Sequence, residues 1–453
     1  MRLKNPEGHK GFDHAFLYRH IVAMNSISLT GSGKLQGTFT PPGDKSISHR
    51  ALMIGAISDG QSLYTHFLEA EDCLHTMKVF QAMGISITLE KGNGKITIQG
   101  KGLKGLKAPD RDLYLGNSGT TMRLLLGILA GQKFETTLTG DPSLSSRPMR
   151  RVTDPLKKMG AQIKGKENGN FAPLTIRGGK LQGIDFENRL SSAQVKSALM
   201  FAGLQAEGPT RIQEHIPSRD HTERFLKAAG APFREENGWL VIEKADHLRP
   251  FQAQIPGDIS AAAFFITGAA MIPGSQIRID NVGLNPTRTG LLEVLKRMGA
   301  SLKIKQMEKD PEPWGTIEVE GRRLKGTRIT QSEIPSLIDE LPILMTAMAV
   351  AEGESLISGA EELRVKETDR IHSMVTNLNA VGGNLQELPD GCLIRGVEKL
   401  RPGKIQSFGD HRTAMSLAIA ALCIEGELLI EDIDCVSTSF PGFFNDFQRL
   451  KTE

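Results

Sequence analysis

The segment Leu295-Lys-Arg-Met-Gly299-Ala-Ser-Leu302 closely repeats an earlier one, Leu156-Lys-Lys-Met-Gly160-Ala-Gln-Ile163. Each predicts the end of a helix, a glycine just past it and a new strand, because glycine takes the left-handed backbone of that turn at little cost. The same pattern surrounds Gly84, Gly230 and Gly382. These glycines are about 70 to 80 residues apart, which indicates an internal structural repeat.

A short alternating strand follows each glycine. The five segments are Lys95-Ile-Thr-Ile-Gln-Gly100, Leu174-Thr-Ile-Arg-Gly178, Leu240-Val-Ile-Glu243, Thr316-Ile-Glu-Val-Glu-Gly321 and Cys392-Leu-Ile-Arg-Gly396. Alternation that ends in a turn is typical of a half-buried strand. The two signals recur in phase and so support the same repeat.

A polar turn that leads into an apolar helix precedes each unit. The six turns are Asp44–Arg50, Asn117–Arg123, Ser191–Lys196, Gly257–Ser260, Ile338–Pro342 and Gly409–Arg412. The unit therefore reads helix, strand, helix, strand, strand, and six copies predict two domains of three. We place the break near residues 252–257, which Pro250 and Pro256 flank. An open solenoid of stacked repeats is the alternative.

Composition limits the function classes. The chain has 453 residues and a formal net charge of +3, which is too little for a protein that wraps nucleic-acid backbones. Aromatic residues make up only 5%, which leaves few platforms for stacking bases. We therefore expect no nucleic-acid partner and a small anion as ligand.

The cysteines and the N-terminus indicate a cytoplasmic protein. Cys73, Cys392, Cys423 and Cys435 form no close pair, and no histidine spacing indicates a metal site. Residues 1–23 are too polar for a secretory signal and are predicted to be either an extension before Met24 or a tail that becomes ordered on demand. The apolar run 259–272 is too short to span a membrane and is predicted to be a buried helix.

Cations at the predicted helix starts carry the functional signal. Each start should have an N-cap, unpaired N–H groups and the positive end of a helix dipole. The first turns also hold Lys45 and Arg50, Arg123, Lys196, and Arg412, which oppose the dipole unless an anion lies between. If the starts converge, they form an anion site. Capping alone is the simpler reading of any single turn.

Other charged segments can also be explained without a binding or catalytic role. The spacing G-x-x-x-x-G-K-[ST] is absent around Lys45, so a nucleotide phosphate loop is excluded. Arg147, Arg150 and Arg151 could be a solvated charge run. Residues 366–370 are predicted to open a helix, with Lys366 and Arg370 on one face and Glu367 within reach of Arg370. Asp339 and Glu340 precede an apolar helix, so capping of that helix is the simpler reading of both carboxylates.

Together these motifs resemble those of the EPSP synthase family. The matching segments are Pro42–Arg50, Leu115–Arg123, Ser143–Met149, Arg364–Arg370, Asp410–Arg412 and Ser439–Gly442. The resemblance implies an α/β (α+β) fold with two domains, each of three βαβαββ repeats with buried helices and outer sheets, an inside-out barrel. It implies residues 24–42 plus 255–453 as one domain and 43–254 as the other, with the active site in the cleft between them.

The resemblance also implies the substrates, 3-phosphoshikimate and phosphoenolpyruvate, and the residues that bind them. The expected 3-phosphoshikimate contacts are Lys45, Ser46, Arg50, Ser192, Gln194, Ser218, Asp339 and Lys366. The expected phosphoenolpyruvate contacts are Lys45, Asn117, Gly119, Arg147, Gln194, Arg370 and Arg412. We expect no cofactor, no metal, no membrane association and a monomer.

The implied reaction needs a base and an acid at once. Asp339 would accept the proton of the 5-hydroxyl, while Glu367, helped by Lys45, would protonate the methylene of phosphoenolpyruvate. Arg370 and Lys366 beside Glu367 favour its charged form, so burial would have to raise its pKa. One departure from the family pattern is Thr438, which stands where many relatives carry a Lys.

Two alternatives stay open. An enolpyruvyl transferase that acts on a UDP-amino sugar would use a loop cysteine, and residues 140–151 contain none. The second alternative is a protein that processes nucleic-acid ends, because RNA-end cyclases resemble this repeat. The cations of such a protein should form broad stripes, whereas here they cluster in turns.

Overall fold

The computed structural model describes residues 25–308 and 311–452. The predicted N-terminal extension lies outside the described residues. The longer helices are α1 Lys45–Ile57, α2 Glu71–Ala82, α3 Gly119–Leu129, α4 Arg150–Lys158, α5 Ala193–Gly203, α6 His221–Ala228, α7 Ile259–Met271, α8 Gly290–Arg297, α9 Leu341–Ala349, α10 Arg370–Ala380, α11 His411–Ala420 and α12 Phe443–Leu450. Short helical turns lie at Pro142–Ser145, Lys166–Gly169, Ile334–Leu337, Ile338–Glu340, Glu361–Val365, Ala421–Cys423 and Asp434–Thr438.

The strands of the first half are β1 Ser26–Thr30, β2 Lys34–Phe39, β3 Asp59–Thr65, β4 Ser86–Glu90, β5 Lys95–Lys101, β6 Leu113–Tyr114, β7 Glu135–Thr139, β8 Gln162–Gly165, β9 Phe171–Arg177, β10 Leu181–Gln182, β11 Asp185–Glu187, β12 Ala206–Glu207, β13 Thr210–Gln213, β14 Phe233–Glu236, β15 Trp239–Ile242 and β16 Gln252–Gln254. Those of the second half are β17 Gln276–Gly283, β18 Ser301–Glu308, β19 Trp314–Glu320, β20 Arg328–Ile329, β21 Glu354–Ile357, β22 Asn384–Leu388, β23 Gly391–Arg395, β24 Gly403–Gln406, β25 Glu427–Glu431 and β26 Lys451–Thr452.

The structure confirms the repeat predicted from the glycines. Gly84, Gly160, Gly230, Gly299 and Gly382 all have positive φ, between 77° and 112°. The predicted alternating segments are strands β5, β9, β15, β19 and β23. One more strand precedes the first helix of a unit, so the unit is βαβαββ rather than the helix-first unit read from the sequence.

Five of the sheets share one strand order, whereas the sheet β1-β25-β24 of the last repeat has only three strands. In the sheet β6-β7-β9-β8, for example, β6 is parallel to β7 and the other pairs are antiparallel. The sheets β11-β13-β15-β14 and β20-β21-β23-β22 have the same arrangement.

Buried helices fill two hydrophobic cores. The first core takes its side chains from residues 47–255, and the second from Leu29, Leu35 and Phe39 together with residues 259–450. Helix α7 is buried along its whole length, as predicted for the apolar run. Within the second core α7, α9 and α11 contact one another pairwise. This closure contradicts an open solenoid, in which a repeat contacts only its chain neighbours.

The two cores exchange strands where the chain passes between them. Strand β2 lies beside β17 in the second core, although α1, which follows β2, belongs to the first. Strand β16 lies beside β3 in the first core, although α7, which follows β16, belongs to the second. We call residues 40–43 and 255–257 the crossover segments; Gly43 and Gly257 form an antiparallel bridge. The crossover therefore holds the starts of α1 and α7 side by side.

No helix within the described ranges combines the length and apolar character needed to cross a membrane.

Candidate functional site

Side chains of the predicted polar turns cap four of the helices. Asp44, Ser118, Asp258 and Asp410 each accept a hydrogen bond from a backbone N–H in the first turn of α1, α3, α7 and α11. Ser192 lies at the N-cap of α5 without a side-chain capping bond. The structure contradicts the capping reading of both Asp339 and Glu340. Glu340 is the N-cap of α9 but makes no side-chain capping bond, and Asp339 lies in the short 3-10 turn Ile338–Glu340 and bonds arginines.

Arg370 organises the acidic groups of the second core. It is 1% exposed, and its Nε donates to Asp410 Oδ2 at 2.8 Å. Its Nη2 donates to Glu367 Oε2 at 2.6 Å and its Nη1 to Asp339 Oδ1 at 3.4 Å. We call Asp339, Glu367, Arg370 and Arg412 the second-core cluster. One rigid guanidinium fixes the relative positions of both predicted catalytic carboxylates.

Asp339 lies among cations. Arg412 Nε lies 3.6 Å from Asp339 Oδ1, and Arg412 Nη1 donates to the Asp339 carbonyl at 3.0 Å. Burial opposes ionisation, but Arg412, Arg219, Lys366 and Arg370 outweigh it and hold the pKa of Asp339 well below its usual range. Asp339 is therefore an ionised acceptor at neutral pH.

Glu367 is ionised for the same reason. Burial acts to raise its pKa, but Arg370, Arg147, His411 and Lys45 hold the pKa well below its usual range. Glu367 is partly buried, which is the condition for a raised pKa that was expected from the sequence. Burial does not outweigh the charges of these neighbours.

The helix predicted to open at Lys366 begins instead at Arg370, where Asp369 accepts from the His372 N–H. Lys366 and Glu367 lie in the turn before it, so the prediction that Lys366 and Arg370 share a helix face is wrong. The contact between Glu367 and Arg370 is confirmed. Lys366 Nζ lies 3.5 Å from Glu362, and burial, with Arg370, lowers its pKa despite Glu362 and Asp339.

The first core contributes a second group of side chains at the start of α3. Arg147 Nη2 donates to Asn117 Oδ1, and Arg123 Nη1 donates to Gln194 Oε1 at 2.7 Å. Gly119 begins the helix, and a Cβ added to it would lie 3.1 Å from Arg123 Nη1 and 3.2 Å from Arg147 Nη1. We call these five residues the first-core cluster. The buried Nε atoms of both arginines have no hydrogen-bond partner within the part of the chain that the structure describes, which leaves donors for an anion.

Three ion pairs join the two cores across this site. Arg147 Nη1 lies 3.4 Å from Glu367 Oε1, and Arg151 Nη1 lies 2.7 Å from Glu362 Oε1. Arg219 Nη2 lies 2.7 Å from Asp339 Oδ2. Arg219 was not predicted from the sequence, because it lies in a loop outside the repeat signals. The predicted active-site residues of both cores thus face one another.

Lys45 begins α1 beside the crossover. Its Nζ lies 2.5 Å from Asp72 Oδ2, and its backbone N–H donates to Asp258 Oδ2 at 3.2 Å. The charge of Lys45 helps to lower the pKa of Glu367 and of the buried His411. Burial first, then Lys45 and Arg412, lower the pKa of His411 well below its usual range. His411 belongs to the motif Asp410–Arg412, but no role was predicted for it from the sequence.

The remaining predicted residues lie on the first-core side. Arg50 is buried and donates to Thr222, Ser197 and the carbonyl of Ser46. Burial lowers its pKa to about 10. The Ser218 hydroxyl donates to Glu214 Oε1 at 2.6 Å.

Near these residues, Lys196 lies 2.9 Å from Glu214 and 2.7 Å from Glu223. The Ser192 N–H donates to Asn188 Oδ1. The hydroxyl of Thr438 donates to the Cys435 carbonyl at 2.7 Å. Thr438 therefore adds no cation to the site.

Among residues 25–308 and 311–452, no three His, Cys, Asp or Glu side chains group as metal ligands would. A cavity of about 310 Å³ lies apart from both clusters, between the crossover residue Thr40, His66 and Phe440.

The sequence matches one protein family over most of its length. The family model of EPSP synthase (3-phosphoshikimate 1-carboxyvinyltransferase) matches residues 29–447. The 3-phosphoshikimate 1-carboxyvinyltransferase of Alkaliphilus metalliredigens is 50% identical over 411 residues, which cover 90% of this chain and 96% of that protein. That of Desulforamulus reducens is 50% identical over 421 residues, with 93% and 98% covered.

Solved structures agree with the sequence match. The structure of EPSP synthase from Acinetobacter baumannii superposes with a TM-score of 0.83 at 44% identity and covers 94% of this chain and 98% of that one.

Proposed function

The chain belongs to the EPSP synthase family, and from that premise we propose the roles of the individual residues in its reaction. The reaction transfers the carboxyvinyl group of phosphoenolpyruvate to the 5-hydroxyl of 3-phosphoshikimate and releases phosphate. It belongs to the shikimate pathway, which leads to chorismate and the aromatic amino acids. The observation that carries the assignment of roles is the pair of carboxylates, Asp339 and Glu367, held on one buried guanidinium, Arg370.

The first core binds the phosphate end of 3-phosphoshikimate in this proposal. The binding residues are Lys45, Ser46, Arg50, Ser192, Gln194 and Ser218 on that side, with Asp339 and Lys366 from the second core. Support comes from the cations Lys45 and Arg50 on α1 and Lys196 on α5, which lie on this side of the site. The Ser218 hydroxyl now donates to Glu214, so it has to turn toward the ligand.

Phosphoenolpyruvate lies between the two clusters. Arg147, Arg370 and Arg412 bind its phosphate and carboxylate, because planar guanidinium groups bind such anions through paired hydrogen bonds. Asn117, Gly119, Gln194 and Lys45 line the same position. The buried Nε of Arg147 has no hydrogen-bond partner among the described residues, which supports an anion there.

Asp339 accepts the proton of the 5-hydroxyl as the oxygen attacks C2 of phosphoenolpyruvate. Glu367, with Lys45 nearby, delivers a proton to C3, so that C2 gains the cationic character that the attack needs. The tetrahedral intermediate then loses phosphate from C2 and a proton from C3 to the Glu367 carboxylate, which restores the double bond and the protonated acid. The reaction needs no electron sink, so positioning and electrostatic stabilisation do the catalytic work.

Binding of the anionic substrate explains how Glu367, which neighbouring cations hold ionised, can act as the acid. Its phosphate and carboxylate take over the hydrogen bonds of Arg147 and Arg370, which now hold Glu367 ionised. With those cations neutralised, burial raises the pKa of Glu367. The substrate thereby creates the acid that protonates it.

The proposal also covers the domain boundaries, the oligomeric state and the location of the enzyme in the cell. Residues 24–42 and 255–453 form one domain, 43–254 form the other, and the enzyme acts as a cytoplasmic monomer. The division between the two hydrophobic cores supports the domain boundaries.

Phosphate release tests the proposal. We expect release from phosphoenolpyruvate that depends on added 3-phosphoshikimate and does not occur with UDP-N-acetylglucosamine. Release with the nucleotide sugar instead, or no release with either acceptor, would contradict it. Arg278→Gln is a suitable control, because Arg278 is exposed and distant in sequence from both clusters.

A further inference from the structure

Arg288 lies outside both clusters and is 2% exposed. It follows β17 in the second core. Its Nη1 donates to Asp44 Oδ2 at 3.3 Å, and its Nη2 donates to Ser260 Oγ at 2.5 Å and to Asp258 Oδ1 at 3.4 Å. Glu340 Oε1 lies 4.0 Å from Nη2. A single guanidinium therefore contacts three carboxylates and a hydroxyl from three helix starts.

These partners adjoin the proposed catalytic residues. Asp44 is the N-cap of α1 and directly precedes Lys45. Glu340 directly follows Asp339 and accepts a hydrogen bond from the Ser260 hydroxyl. Arg288 thus joins the backbone that carries Lys45, in the first core, to the backbone that carries Asp339, in the second.

The environment makes Arg288 hard to replace. Burial raises the pKa of Asp44 and of Glu340, and Arg288 acts against that rise at both. Without the guanidinium, several buried carboxylates would face one another, which is costly. A lysine would keep the charge, but its single ammonium cannot reproduce the planar fork of contacts.

A histidine contact completes the arrangement. His221 Nε2, from the first core, lies 3.3 Å from Arg288 Nη1, and His221 Nδ1 lies 2.7 Å from Glu312 Oε1. An arginine has no acceptor, so Nε2 accepts and Nδ1 carries the proton that it donates to Glu312. The guanidinium is therefore fixed from both cores.

We infer that Arg288 is a positioning residue, which sets Lys45 and Asp339 at their catalytic separation by holding Asp44, Asp258 and Glu340 on one guanidinium. It contacts neither substrate in the arrangement proposed above. The inference rests on the proposed roles of Lys45 and Asp339.

Arg288→Lys is the main test. A displacement of reacting groups that hardly affects binding can slow chemistry strongly, so we expect kcat to fall at least about tenfold while the Kd for 3-phosphoshikimate changes less than about threefold. Both are measured well below the melting temperature of the variant. Arg278→Gln, an exposed arginine on β17 in the same core, is the matched control and should retain parent values.

Asp44→Asn is the second test, and it decides the matter if Arg288→Lys does not fold. Asparagine caps helices about as well as aspartate but loses the charge-assisted bond to Arg288. We expect a similar fall in kcat. The double variant should be no slower than the slower single variant, because both changes break the same link.

The outcomes separate the possibilities. A folded Arg288→Lys with parent kcat and a lowered melting temperature would show a merely structural role and overturn the inference, as would an Asp44→Asn variant with parent kcat. If the parent protein releases no phosphate with 3-phosphoshikimate and phosphoenolpyruvate, the proposed function itself fails, before any variant is compared.

Discussion

Arg219 Nη2 in the first core lies 2.7 Å from Asp339 Oδ2 in the second. This contact joins the loop after Ser218 to the proposed base of the reaction. Arg219 is also one of the cations that hold the pKa of Asp339 low, after Arg412. The ion pair therefore links the approach of the two cores to the protonation state of the base.

Arg219→Gln should shift the acid limb of the pH profile of kcat/KM to higher pH. Removing this cation raises the pKa of Asp339, so the carboxylate is lost at a higher pH as the solution is acidified. The measurement is kcat/KM from about pH 3, below the usual pKa of an aspartate, to about pH 9.

Arg211→Gln is the matched control for that profile. Arg211 is an exposed arginine on β13, earlier in the same core, and its Nη1 lies 3.6 Å from Asp185 Oδ2. An acid limb that does not move in Arg219→Gln, or moves equally in the control, would contradict the role of Arg219.

The repeat was predictable because its signals are local. A glycine with positive φ after a helix and a carboxylate at a helix start each depend on a few neighbouring residues, as at Gly299 and Asp44. The exchange of β2 and β16 between the cores depends on pairing between distant segments, so periodicity alone could not show it.

The site was predictable residue by residue only where motifs carry it. Arg370 contacts Asp339, and Arg147 contacts Glu367, so the structure places these motif residues near one another, while their roles stay predictions. Arg219 and Arg288 act through partners in the other core, and nothing in their local sequence indicates that contact. The position of Lys366 was misjudged because Asp369 caps the helix and starts it at Arg370.

Arg147→Ala and Arg412→Ala should each lower kcat/KM for phosphoenolpyruvate by at least about 100-fold, equivalent to about 2.7 kcal/mol of transition-state stabilisation. Each change removes a guanidinium from the proposed anion site rather than a packed apolar side chain. Steady-state kinetics and a thermal melt measure the two effects.

The melt distinguishes lost chemistry from lost structure. We expect both variants to stay folded at the assay temperature. Arg150→Ala, from the same segment as Arg147 but exposed and bonded to the Glu167 carbonyl, should keep nearly full activity. Near-parent turnover in Arg147→Ala would count against the placement of phosphoenolpyruvate.

Binding of phosphoenolpyruvate should take up a proton at neutral pH. In the free enzyme Arg370 and Arg147 hold Glu367 ionised against burial, and the anionic substrate neutralises both arginines. The pKa of Glu367 should then rise, so the carboxylate gains a proton as the substrate binds.

Calorimetry in buffers of different ionisation enthalpy measures this uptake, with 5-deoxy-3-phosphoshikimate present so that no attacking hydroxyl is available. Glu367→Gln should bind without the Glu367-dependent part of the uptake. Equal proton uptake in the parent and in Glu367→Gln would assign the proton to another group.

Gly119→Ala should weaken inhibition by glyphosate more than it raises the KM for phosphoenolpyruvate. Gly119 is not among the residues with positive φ, so alanine fits the backbone, but its Cβ would lie 3.1 Å from Arg123 Nη1 and 3.2 Å from Arg147 Nη1. Both guanidinium groups would have to shift by a few tenths of an ångström. An inhibitor longer than the substrate should tolerate the narrowed site less well. The decisive quantity is the ratio of inhibition constant to KM, which should rise; an equal rise in both constants, or inhibition that does not compete with phosphoenolpyruvate, would place Gly119 outside the shared pocket.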